Sequence, residues 1–161
     1  MFFRKKKYLT DLKRTRFGLY RRKARGLYLD RNERVIPFEN SMKKAYAKIV
    51  SSLDLNLYPD VGVLYSRLAS WLKVKPEELY ITEGVSGAIK AIMETIPRHG
   101  QNIVFPTPTF ALYPVYCRMF DLSFKTVGYK KDYSLDLDAL YRAIDKRTAV
   151  VFLPNPNVPI E

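Results

Sequence analysis

Cysteine and histidine are almost absent: the 161 residues contain one of each, Cys117 and His99. A lone cysteine cannot form an internal disulfide, and this usage suits a reducing cytoplasm, where the protein is expected to reside. One histidine and one cysteine provide no zinc constellation, and no Ser-His or Cys-His pair stands in a convincing context. Cys117 reads as a small buried group and His99 as a loop residue beside Gly100. No apolar run approaches ~18 residues, so no membrane-spanning helix is expected. The basic start, Met1 to Lys7, lacks the apolar stretch of a secretory signal. Internal repeats and low-complexity linkers are missing too.

What the chain does have is apolar mass: 47% hydrophobic and 14% aromatic residues indicate a globular protein of about one domain's length. Acidic residues are scarce, 16 against 28 Lys and Arg, and the imbalance is local. Residues 1–34 hold 13 basic groups against Asp11, Asp30 and Glu33, a net +10, while the remainder holds 15 against 13. The basicity therefore belongs to an N-terminal arm, residues 1–26. One function class consistent with it is a non-catalytic module that binds RNA or anionic surfaces through that arm. The near-neutral body argues against this, because a nucleic-acid-binding face should be basic throughout. A solvated extension or a packing surface is the favoured reading.

Beyond the arm, Leu27–Asp30 reads as a short extended segment. Asn40 or Ser41 can cap a helix with Met42, Ala45, Ile49, Val50 and Leu53 at helical spacing. After the loop Leu57-Tyr58-Pro59-Asp60, a second amphipathic helix carries Val63, Leu64, Leu68, Trp71 and Leu72. Pro76 to Leu79 begins a short helical turn, Tyr80–Thr82 a strand, and Gly84–Ile96 a helix. Strands and helices then alternate: strand 102–106, helix 110–120, strand 123–127, helix 137–144 capped by Asp136, and strand 149–153. This alternation predicts an α/β layer with a mostly parallel sheet. The last strand is continuously apolar, as a strand covered on both faces should be. It runs into Pro154-Asn155-Pro156-Asn157-Val158-Pro159-Ile160-Glu161, a loop where α/β sheets bind ligands. Ending there would leave the sheet without its following elements, so the sequence reads as truncated.

One segment carries chemistry directly. Glu83-Gly84-Val85-Ser86-Gly87-Ala88-Ile89-Lys90 takes the chain from an apolar run through Gly-x-x-Gly into a helix. Such a turn gathers free backbone N–H groups at the positive end of a helix, which suits a phosphate. Alone, most Gly-x-x-Gly turns are only tight connections. Further segments fit the same site when read in order.

Leu29-Asp30-x-Asn32-Glu33, Tyr58-Pro59-Asp60, the Gly84–Gly87 turn, Pro106-Thr107-Pro108-Thr109-Phe110-x-x-Tyr113 and Asn155-Pro156-Asn157-x-Pro159 together resemble class I/II pyridoxal-phosphate aminotransferases. Within them the chain looks most like the histidinol-phosphate aminotransferase group, over about residue 27 to the end. The resemblance implies the N-terminal part of an aspartate aminotransferase-like fold. Residues 27–60 would belong to the small domain and the dimer loop, and residues 61–161 to the first half of the cofactor-binding α/β domain. It implies pyridoxal 5'-phosphate as cofactor, with Val85, Ser86 and Gly87 cradling its phosphate and Phe110 stacked on its pyridine ring. Tyr58 matches a tyrosine that reaches the phosphate of a neighbouring subunit's cofactor, so a homodimer is implied. Asn32 and Glu33 align near the substrate mouth, and Tyr113 with the pocket lining. The implied reaction is amino-group transfer from a small-molecule amino donor to a 2-oxo acid acceptor.

Two departures accompany the resemblance. The family loop Asn-Pro-Asn-Asn-Pro-Thr-Gly bonds the pyridine hydroxyl oxygen from its third Asn, and here that position is Val158. Asn157 could take over by a one-residue shift of the loop. The phosphate turn reads Val-Ser-Gly where histidinol-phosphate enzymes usually carry Ala-Asp-Glu, which leaves the amine substrate open. The Schiff-base Lys, the Asp facing the pyridine nitrogen and the carboxylate-binding Arg all follow this region in the family. The 161 residues alone are therefore expected to be inactive.

Overall fold

The structure, a computed structural model, describes Arg34 and residues 36–160. The basic arm, the segment 27–30, Asn32 and Glu33 lie outside the described residues. Two compact units divide the chain, and their described parts are residues 34–79 and 80–160.

In the first unit, helix α1 (Asn40–Ser51) and helix α2 (Gly62–Leu72) precede a short 3-10 turn, Pro76–Glu78. Glu39 takes the N-cap position of α1 without a side-chain cap bond, so neither Asn40 nor Ser41 caps the helix as the sequence suggests. Ser41 instead donates to the Glu39 carboxylate at 3.3 Å. Met42, Ala45, Ile49 and Val50 lie on α1 as their spacing predicts and Leu53 falls beyond its end, yet Met42, Ile49, Val50 and Leu53 all remain exposed. On α2 only Ala69 is buried. Amphipathic periodicity made these helices; it did not by itself bury their apolar faces.

The second unit holds the sheet. Helix α3 (Gly84–Thr95) leads to strand β1 (Asn102–Thr107), helix α4 (Leu112–Met119), strand β2 (Ser123–Gly128), helix α5 (Leu137–Ala143) and strand β3 (Thr148–Val151). Strand order is β2-β1-β3, and both pairings are parallel. Asn102–Pro106 are all buried, as the central strand of a covered parallel sheet requires. Alternate side chains of β1 face opposite layers. Ile103 and Phe105 join Ile89, Met93, Tyr113, Cys117 and Phe152 on the side of α3 and α4. Val104 joins Val127 and Leu140 on the side of α5. Asp136 caps α5 as the sequence predicts, accepting from the Ala139 N–H at 2.9 Å. Tyr80–Thr82 is not a strand: the three described strands ladder only with one another, and a strand exists only through such a ladder.

At the amino ends of the strands, a polar cluster ties β1 to the loop before β3. The Asp145 carboxylate accepts from Lys125 Nζ at 2.9 Å and from Asn102 Nδ2 at 3.2 Å. Thr148 Oγ1 donates to Asn102 Oδ1 at 2.9 Å. The Lys125 bond, followed by those from the Arg147 amide and Asn102, holds the Asp145 carboxyl well below the usual carboxylate range. A depressed folded-state pKa adds stability that is fully present above the unfolded value of ~3.9 and is lost as the pH falls through the folded value. Wild type should thus lose stability on acidification below pH ~4 more steeply than Asp145→Asn. Urea unfolding midpoints between pH 2 and 6 measure this, and parallel acid profiles for the two proteins would refute it.

Candidate functional site

The turn into α3 is built by local chemistry. Glu83, at φ −68° and ψ 57°, sits at the centre of an inverse γ-turn, closed by the Gly84 N–H on the Thr82 carbonyl at 2.7 Å. Gly84 follows at φ +77°, a conformation that strains any side chain with a Cβ, and the helix starts there. Thr82 Oγ1 donates to the Gly84 carbonyl at 2.7 Å and fixes the corner. The Glu83 side chain makes no cap bond to the first turn of α3. An α-helix begins with N–H groups that lack intrahelical partners, so this first turn can meet an anion, although the Glu83 carboxylate folds against it.

Gly87 is buried in that turn, and a Cβ there would displace only the far end of the exposed Glu83 side chain. A Cβ there would stand 2.7–3.1 Å from the carboxylate atoms of Glu83. The glycine lets the Glu83 side chain fold against the helix start. Glu83 was not anticipated as part of the turn's geometry. Its position immediately before a positive-φ glycine was the available signal. Ser86 and Gly87, with Glu83, line an open cavity of about 380 Å³ that α4 closes with Leu112, Val115, Tyr116 and Met119. Val85 is exposed beside it.

Of the other expected site residues, Phe110 lies in the loop between β1 and α4, 40% exposed, and does not line that cavity. Its carbonyl accepts from the Tyr113 N–H at 3.2 Å. Tyr113 was expected in the pocket lining. It is a core residue, 4% exposed, stacked on Phe105 at 5.5 Å and tilted against Phe152 at 5.0 Å. In the first turn of α4, its ring packs on the sheet, and burial pushes its phenol above the ordinary value. Tyr58, in the first unit, is fully exposed on the loop Leu53–Pro59. Among the described residues no group of acidic, Cys or His side chains could hold a metal ion. No helix there is long and apolar enough to cross a membrane.

Asn157 has an environment unlike that of a donor waiting for a ligand. It is 1% exposed. Its Oδ1 accepts from Thr109 Oγ1 at 2.7 Å, and its Nδ2 donates to the Pro108 carbonyl at 3.1 Å and to the Tyr129 hydroxyl. The neighbouring Val158, at the position the resemblance gives to the ring-hydroxyl donor, is exposed and apolar. Thr109 and Tyr129 were given no role from the sequence. Both lie just beyond the carboxyl ends of strands, β1 and β2, and that placement was the signal.

Comparison with known proteins agrees with this architecture. The histidinol-phosphate aminotransferase 1 of Carboxydothermus hydrogenoformans is 33% identical over 134 residues, covering 81% of this chain and 38% of that protein. The chain thus spans well under half the length of such relatives. The tyrosine aminotransferase of Leishmania infantum shares the fold, with a TM-score of 0.65 at 23% identity over 75% of this chain and 37% of that one. The Sinorhizobium meliloti histidinol-phosphate aminotransferase, solved in complex with pyridoxal-5'-phosphate, is 25% identical with a TM-score of 0.64, over 75% of this chain and 33% of that one. The family profile described as aminotransferase class I and II matches residues 24–160. A parallel α/β unit with its helix-start turn and strand-end loops, matched along almost its whole described length, places the chain in the class I and II aminotransferase family.

Proposed function

We propose that this chain holds pyridoxal 5'-phosphate for an aminotransferase of the histidinol-phosphate type, which moves an amino group from a small amino donor to a 2-oxo acid. The observation that carries the reading is the start of α3, where the chain turns through the positive-φ Gly84 and Ser86 and Gly87 meet an open cavity. The residues fit the group in part. The amides of Val85, Ser86 and Gly87 and the Ser86 hydroxyl suit the phosphate, and the half-exposed Phe110 ring offers a face to the pyridine. Val158 offers the ring hydroxyl no donor. When bound, the cofactor supplies an electron sink for chemistry at the carbon bearing the amino group.

The part proposed for this chain is binding and orientation. Ser86 and the helix start anchor the anion, and Phe110 holds the ring plane and excludes water. The exposed Tyr58 reaches the phosphate of a partner's cofactor in a homodimer. Asn32 and Glu33, outside the described residues, are assigned to the substrate mouth through the family resemblance alone. A soluble, cytoplasmic place in amino-acid biosynthesis completes the proposal. No residue of this chain is assigned as the catalytic lysine, and Lys90 is exposed on α3.

Phe110→Ala should weaken pyridoxal 5'-phosphate binding by ~1 kcal/mol, about fivefold, with little change in stability, because its ring is exposed. Titration of cofactor absorbance against protein measures this. Equal affinities of wild type and variant would remove Phe110 from the site.

A further inference from the structure

All three parallel strands deliver their following loops to one side chain. Asn157, beyond β3, bonds Thr109 and Pro108 beyond β1 and Tyr129 beyond β2. The orientation of its amide follows from chemistry. The Pro108 carbonyl can only accept, so Nδ2 faces it, and Oδ1 is left to accept from Thr109. A buried amide with both ends engaged leaves its seat only by breaking several bonds at once and orphaning their partners. Thr109 and Pro108 immediately precede Phe110.

We propose that Asn157 is a positioning residue that fastens the Phe110 loop to the loop after β3, and that it does not itself bond the cofactor ring. The fastening makes the strand-end loops one unit: the bond to Thr109 fixes the backbone from which the Phe110 ring projects. This also accounts for how Val158 can stand at the donor position while the loop keeps its shape, since that shape depends on the residue before it. The role in cofactor binding rests on the reading above that Phe110 faces the pyridine.

The experiment compares pyridoxal 5'-phosphate with its 3-deoxy analogue, which lacks the ring hydroxyl. Thr109→Val removes only the hydroxyl that bonds Asn157, Thr109→Ser restores it, and Asn157→Ala removes the centre of the cluster. Thr109→Val should weaken both ligands by the same factor, about fivefold to tenfold, and Thr109→Ser should recover the affinity. In a Phe110→Ala background the Thr109→Val loss should vanish, since it acts through that ring. A loss at Asn157→Ala seen only with the hydroxylated cofactor would show a direct ring bond and overturn the proposal. So would unchanged affinities in Thr109→Val. Amide hydrogen exchange over residues 109–113 provides a readout that needs no cofactor. It should accelerate in Thr109→Val, and unchanged exchange would overturn the latch. If wild type binds neither ligand, the functional reading fails while the exchange result still decides the latch.

Discussion

Phe105→Ala should lower the free energy of unfolding by about 3–5 kcal/mol, the largest effect expected of a single truncation in this chain. Phe105 is 2% exposed at the centre of β1. Its ring stacks on Tyr113 at 5.5 Å and on Phe124 at 5.3 Å, so one side chain joins α4 to β1 and β2. Truncation removes the transfer free energy of the ring and leaves a void that a strand paired on both edges cannot collapse to fill. Typical domains have only ~5–15 kcal/mol in total, so the variant should melt at markedly lower urea, or fail to fold cooperatively. Urea denaturation followed by tyrosine and tryptophan fluorescence reads this directly. A loss below ~1 kcal/mol would mean that the core does not depend on this ring. Phe110→Ala, in the exposed loop, is the natural control.

Cys117 should resist alkylation in the native protein by about three orders of magnitude. It is fully buried on α4 among Ile89, Met93 and Ile103, and burial pushes its thiol up to about 12. The thiolate is the reacting form, and an ordinary thiol near ~8.5 is about a quarter ionised at pH 8. Cys117 would be ionised in roughly one molecule in ten thousand, before its inaccessibility is counted. Labelling with iodoacetamide at pH 8, native and in 8 M urea, tests the expectation. Modification of the folded protein at the rate of a free thiol would overturn the placement of Cys117. The same measurement reports unfolding of the Phe105→Ala variant, because a loosened core should expose the thiol.

The two units differ in how far their sequence determined them. In residues 84–160 most local signals and burial agree, although β3, read as covered on both faces, is half-buried at the end of the described strand order. The apolar run 102–106 became the buried central strand, the Asp136 cap starts α5, and alternating strands and helices produced a parallel sheet. The α3 turn was equally legible, because glycine takes the φ of +77° at Gly84 without the strain a Cβ would bring. In residues 34–79 the helices formed where periodicity placed them, yet Met42, Ile49, Val50 and Trp71 stay exposed. Periodicity states which face is apolar and says nothing of what covers it.

The site divides along the same line. Sequence alone determined the helix-start turn and the strand-to-loop architecture, because each follows from the conformational limits of a few adjacent residues, whereas Phe110, read as the first residue of a helix, lies in the loop before α4. Only the tertiary structure decided that Tyr113 belongs to the core and that Asn157 is enclosed by Thr109, Pro108 and Tyr129. The Asn157 contacts depend on residues 28 to 49 positions apart meeting at the ends of parallel strands, and long-range hydrogen bonds and ring packing leave no local periodicity to read.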